Sequence, residues 1–306
     1  MKVGIPRAFL YFKYASLWES FFETLGIDYI VSPDTNKDII SRGMNCAVDE
    51  CCLSSKIYLG HVVWLMDRCD TILVPRISNY GKTGTVCTRF QAIYDVIKNT
   101  FRDKDIEFLH YNIDPMNSEN ELGAFMKMGK NLGRKKPQIL RAYLLAKQAE
   151  KTAQIASNKE QEALLNEKKI KILLIAHAYN ILDKYIGAPV LRVLRSMDVV
   201  PVIGEYASKK EAIACSMQLS DTLPWVYNKE LLGSVVLYRD RVDGIILMST
   251  FPCGPDSLVN EIIIRRVQDK PILNLLLDGQ EGTAGLETRL ESFVDIIRYK
   301  REDFIG

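Results

Sequence analysis

Apolar residues recur along this chain in two alternating rhythms. Short runs such as Lys2 to Pro6, Tyr29-Ile30-Val31, Thr71-Ile72-Leu73-Val74-Pro75 and Ile106 to Tyr111 read as strands. Between them lie stretches with helical spacing. Phe9, Phe12, Trp18, Phe21, Phe22 and Leu25 mark one apolar face, and Gly26 reads as its C-cap. A short helix is expected around Lys37 to Ser41, another over Cys52 to Arg68, and a third from Cys87 to about Phe101. The rhythm returns later with strands at Ile170 to Ala176, Val199 to Ile203, Ile245 to Met248 and Ile272 to Leu277. Helices are expected at about Tyr185 to Met197, Lys209 to Met217, Lys229 to Arg239, Asp256 to Gln268 and Gly285 to Arg298. Short apolar strands alternating with helices predict parallel α/β sheets.

Between the two halves the pattern changes. Gln138 to Lys168 holds no proline or glycine and is rich in Ala, Leu, Lys, Glu and Gln, which predicts a long helix or a helix pair. The expected organisation is an N-terminal α/β domain over 1–120, a helical connector over 121–168 and a C-terminal α/β domain over 169–306. No residue-level repeat joins the halves, so any symmetry between them is architectural.

Composition narrows the class. A hydrophobic share of 47% with 25% charged residues is that of a soluble globular protein. A net charge of +2 gives no electrostatic reason to expect nucleic acid or a membrane surface as partner. No apolar run reaches membrane-spanning length, and Pro6 and Arg7 interrupt any signal core, so a cytoplasmic location is expected. Seven cysteines in such a compartment should be mostly reduced, with burial, metal binding or catalysis as their roles.

Three cysteines stand apart by context. Cys52 ends Asp49-Glu50-Cys51-Cys52, where an acidic turn gives way to an apolar helical run. Cys87 follows the glycine-rich loop Asn79-Tyr80-Gly81-Lys82-Thr83-Gly84-Thr85. Cys253 lies in Phe251-Pro252-Cys253-Gly254-Pro255-Asp256, between a strand and a proline suited to a first helical turn. All three are expected at helix N-termini, where unsatisfied N–H groups and the helix dipole favour a thiolate. Buried structural thiols are the commoner fate of cysteines read this way, but turn positions favour ligation of zinc or an iron–sulfur cluster. Cys51 could face away or serve as a spare ligand; adjacent cysteines suit a disulfide badly. Cys46, Cys69 and Cys215 have no special context. Among the histidines, His61 reads as packed or surface, His110 as a strand residue. His177, just past a strong strand, is the candidate general acid or hydrogen-bonding partner of the site. The Gly81 to Gly84 loop fits neither a P-loop nor a dinucleotide fingerprint.

These residues resemble a known family. Gly4-Ile5-Pro6-Arg7-Ala8, Ser32-Pro33 before Thr35-Asn36-Lys37, Asp49-Glu50 with Cys52-Leu53 and Lys56, Gly60-His61 and Val74-Pro75-Arg76-Ile77 resemble activase-related proteins of the 2-hydroxyacyl-CoA dehydratase superfamily. Tyr179-Asn180 with Asp183 and Tyr185-Ile186, Cys253-Gly254-Pro255-Asp256-Ser257-Leu258, and Gly285-Leu286 with Thr288 to Phe293 continue the match. The resemblance implies two flavodoxin-like domains with a metal site in the interdomain cleft. It implies a [4Fe-4S] cluster, or a double-cubane variant, held by Cys52, Cys87 and Cys253. It also implies an ATP-hydrolysing activator with its own cluster as electron donor, and acyl-CoA or another small molecule as substrate. Ser54 stands where relatives usually carry proline, and the sequence contains no ATPase module. A redox enzyme component, a non-catalytic electron carrier, and a zinc or metal-free structural protein all remain open on sequence. So does the oligomeric state, a homo- or heterodimer included.

Overall fold

The computed structural model describes residues 1–279 and 283–303. The chain divides into two compact units, Met1–Ile155 with Pro224–Val226, and Ala156–Leu223 with Tyr227–Gly306. In chain order the first unit begins β1 (Lys2–Ile5), α1 (Tyr11–Leu25), β2 (Asp28–Val31), α2 (Lys37–Cys46), α3 (Leu53–Leu65), β3 (Thr71–Leu73) and β4 (Arg76–Ile77). It continues with α4 (Thr88–Thr100), β5 (Glu107–Leu109), β6 (Asn112–Ile113), α5 (Glu121–Asn131) and the start of α6 (Lys136–Leu165).

Its sheet is wholly parallel in the order β2-β1-β3-β5. β4 and β6 prolong the β3–β5 ladder rather than forming a separate layer. Val74 N–H donates to Leu109 C=O at 2.7 Å and Arg76 N–H to Tyr111 C=O at 3.0 Å. Pro75 lies between these two donors, so its missing N–H falls on the opposite side of the strand and removes no bond from this ladder. α1 ends as its sequence predicts. Gly26 adopts φ 61°, and Ile27 N–H closes the turn on Phe22 C=O at 3.0 Å. The aromatic face of α1 is buried at Trp18, Phe21 and Phe22: Phe21 meets Phe125 of α5 edge-on at 4.8 Å, and Trp18 Nε1 donates to the Tyr111 hydroxyl at 2.7 Å. Burying Trp18 without that acceptor would strand its N–H.

The second unit holds the end of α6, then β7 (Lys171–Ile175), α7 (Ala178–Ile181), α8 (Ala188–Ser196), β8 (Val200–Ile203) and α9 (Lys209–Ser216). α10 (Val226–Tyr238), β9 (Gly244–Thr250), α11 (Gly254–Arg266), β10 (Ile272–Leu277) and α12 (Thr283–Asp303) complete it. Its sheet is again wholly parallel, in the order β10-β9-β7-β8. Counting only sheet strands from the N-terminus of each unit, both sheets have the order 2-1-3-4, the opening of the flavodoxin arrangement. Each half is therefore an α/β unit with the same wiring.

Burial explains why the strands look as they do. All seven residues of β9 are buried, so the strand is a continuous apolar run rather than an alternating one, as expected where helices cover both faces. Edge strands β2, β5 and β10 carry exposed positions, Asp28, Glu107, Asn274 and Leu276. β8 is also an edge, which lets it accommodate Pro201. The helix expected from about Tyr185 starts instead at Ala188. Asp183 Oδ1 accepts the N–H groups of Tyr185 at 2.8 Å and Ile186 at 2.9 Å and holds them in a turn.

Candidate functional site

Cys52, Cys87 and Cys253 each occupy the N-cap position of a helix, α3, α4 and α11 respectively. The other four cysteines do not: Cys46 closes α2, Cys51 precedes Cys52, Cys69 follows α3, and Cys215 lies inside α9. None of the seven forms a disulfide.

At Cys52 the backbone is extended, and Ser55 and Lys56 N–H groups donate to its carbonyl at 2.9 and 3.2 Å to start the helix. The Ser55 hydroxyl lies 3.1 Å from its sulfur. Cys51, next to it, is buried. Lys56 Nζ donates to the Asp49 carbonyl at 3.1 Å and fixes the acidic turn. At Cys87 the loop before the helix is stapled on both sides. Tyr80 N–H donates to Gly84 C=O at 2.9 Å, and Thr85 pairs in parallel with Trp225, a residue of the same unit. Gln91 Nε2 donates back to Val86 C=O at 2.8 Å.

Cys253 follows β9, and His177 follows β7, its neighbour in the sheet. Both therefore sit beyond the carboxyl ends of central strands in the second unit, where open parallel sheets present ligand sites. Asp256, in the first turn of α11, joins them. His177 Nε2 lies 3.0 Å from Asp256 Oδ1, and Asn228 Nδ2 donates to the same oxygen at 3.0 Å. Burial alone would raise the Asp256 carboxyl. The His177 ring first, then hydrogen bonds from Asn228 and the Cys253 thiol, outweigh it and hold the group below the ordinary carboxylate range. His177 also stacks on Tyr179, ring centres 5.0 Å apart. Sequence reasoning named His177 and Cys253 but missed Asp256 and Asn228. An acid three residues after the cap is a known helix-start preference, and that signal was available for Asp256.

The remaining candidates are structural. Cys69 donates to Leu65 C=O at 3.2 Å, and burial pushes its thiol up to about 11. His61 is fully buried, with Nδ1 at 2.8 Å from Ser32 Oγ and Nε2 at 3.0 Å from Thr35 Oγ1, and so ties the loop after β2 to α3. Burial, helped by the Arg7 charge, lowers it from 6.5 to about 3. Because the folded form resists a proton that the unfolded chain accepts, stability should fall as pH drops below 6.5 and level off near 3. The expected slope is one proton, about 1.4 kcal/mol per pH unit. Urea midpoints at several pH values should show His61→Gln less stable at neutral pH but shallower by that one proton. An unchanged slope would mean His61 does not carry the acid sensitivity. His110 packs its ring against Tyr94 at 4.0 Å.

Among the described residues, no group of three or more His, Cys, Asp or Glu side chains gathers as a metal-binding set. Nor is any of their helices long and apolar enough to cross a membrane. Residues 2–206 match the family described as CoA enzyme activase uncharacterised domain (DUF2229), and the chain belongs to that family. No curated protein matches the chain. Two solved structures are similar at low level. The crystal structure of ZnuA is 10% identical, covering 97% of this chain and 98% of that one, with a TM-score of 0.26. UDP-GlcNAc 2-epimerase from Methanocaldococcus jannaschii is 11% identical, covering 97% and 92%, with a TM-score of 0.21. Superposition that poor supports no argument about fold or function.

Proposed function

We propose that this chain is an iron–sulfur protein of the 2-hydroxyacyl-CoA dehydratase type. In this reading Cys52, Cys87 and Cys253 hold a [4Fe-4S]-type cluster, or its double-cubane variant. An ATP-hydrolysing activator with its own cluster supplies the electrons. The observation that carries the reading is the selective placement of these three cysteines, and none of the other four, at helix N-caps. Membership of the CoA enzyme activase family supports it. The donor chemistry fits, because thiolates are the ligands of such clusters and a helix N-terminus favours the thiolate over the thiol. The support lies in that chemistry and not in an assembled metal set.

A bound cluster would supply low-potential, one-electron chemistry. The chain's own residues would do the rest. Ser55 would donate its hydroxyl to the Cys52 sulfur, and the His177–Asp256 pair would hold a proton beside Cys253. With three cysteines as its protein ligands, such a cluster would have an iron available to a substrate such as an acyl-CoA. The test is anaerobic reconstitution followed by iron count, absorption and paramagnetic resonance. Bound iron that the activator reduces in the presence of ATP is the expected result. A chain that binds no iron would leave the cysteines structural.

A further inference from the structure

At the first unit's switch point the chain leaves β1 and β3 in opposite directions, the position where open parallel sheets bind ligands. What lies there is apolar. A small cavity of about 10 Å³, room for one water centre, is lined by Ala8 and Phe9 from the turn after β1, Leu73 from β3, Tyr58 from α3, and Phe90 and Ile93 from α4.

Two observations single it out. Phe9 has φ 48°, a left-handed backbone that a bulky residue rarely adopts. Such conformations cluster at ligand clamps and switch regions. Its ring is buried, stacked on Tyr58 at 5.3 Å and edge-on to Phe90 at 5.0 Å. The second observation is the character of the lining. No side chain around the cavity carries a charge, and the Tyr58 hydroxyl is turned toward Leu73 C=O at 3.5 Å, so a charged or strongly polar ligand would strand its own polar atoms there.

We propose that Phe9 closes a binding site for a small uncharged apolar molecule or group, about the size of a benzene ring, and swings out when the site is occupied. The Phe9 ring itself defines the shape of the occupant, a flat apolar group held between Tyr58 and Phe90. Its departure lets the turn return to an ordinary φ. The inference is independent of the metal reading, since it uses no cysteine and no cluster.

The probe is benzene, titrated into the full chain carrying labelled phenylalanine and tyrosine and followed by NMR. Saturable shifts at Phe9, Tyr58 and Phe90 are expected in the unaltered protein. Ile93→Phe, which fills the cavity, should abolish them. Phe9→Gly removes the ring and the left-handed penalty together, so more of the protein is binding-competent and affinity should rise about tenfold. If that variant does not fold, Phe9→Leu gives the same comparison with a smaller increase. Binding by the Phe9 variants without saturable binding by the unaltered chain would mean only that deletion makes a hole, and would overturn the proposal. Shifts that survive Ile93→Phe would overturn it as well.

Discussion

Gly60→Ala is expected to disrupt the packing of α2 on α3 and to cost more than about 3 kcal/mol of stability, well beyond a typical single substitution. A Cβ at Gly60 would collide with the Ile39 carbonyl, and one at Gly43 with the Lys56 carbonyl. The two collisions are reciprocal, one from each helix into the backbone of the other. Because the obstacle is backbone, no rotamer can relieve it, and the helices must separate. Ile39 and Val62 are fully buried and would lose contact as they do. Gly26→Ala is the control. There φ is 61° but nothing lies within 4 Å, so only the left-handed penalty of roughly 1–2 kcal/mol applies. Urea unfolding of both variants decides the matter; a Gly60→Ala cost no larger than that of Gly26→Ala would refute the close approach. α3 begins at the Cys52 cap, so the same variant should also displace that thiol.

Cys87→Ser should lose most of its bound iron while the fold survives. Serine is a better N-cap than cysteine, so α4 keeps or gains stability and loss of iron cannot be blamed on a frayed helix. A serine hydroxyl is a harder and far less acidic donor than a thiol and suits an iron–sulfur iron poorly. Changing a residue that merely hydrogen-bonds to a metal ligand already costs about 10- to 100-fold in affinity, so removing a ligand should cost at least that. Cys215→Ser, inside α9, should keep the parent's iron content. Iron per chain, measured beside circular dichroism after anaerobic reconstitution, checks both. Equal iron in Cys87→Ser and the parent would defeat the cluster reading.

Local pattern made much of the fold legible. The apolar runs at β7 and β9 announce strands covered on both faces. The stretch free of proline and glycine becomes the long helix α6, and Gly26 ends α1 as a left-handed cap. The helix-start contexts of Cys52, Cys87 and Cys253 were equally readable, because capping is decided by a few neighbouring residues. What pattern could not supply was partnership. His61 carries no sequence sign that Ser32 and Thr35 flank both ring nitrogens. Asp256 looks like an ordinary first-turn acid until β7 and β9 pair and bring His177 to it. Gly43 and Gly60 lie inside helices, where periodicity treats glycine as a weakness; only the crossing of α2 and α3 gives them a purpose. These are long-range facts, and a period of two or 3.6 residues reports a face, not what faces it.

The loop before Cys87 has an unusual debt to the rest of the chain. Thr85 N–H donates to Pro224 C=O at 3.1 Å, and Val226 N–H donates to Thr85 C=O at 2.9 Å. Residues 224–226 belong to the first unit, yet residues 156–223 of the second unit are made before them. During synthesis the ribosome must therefore pass residue 226 before the first unit can finish the turn that presents this thiol. A gene cut after residue 155 would encode every strand of the first sheet and still leave Thr85 without its pairing segment.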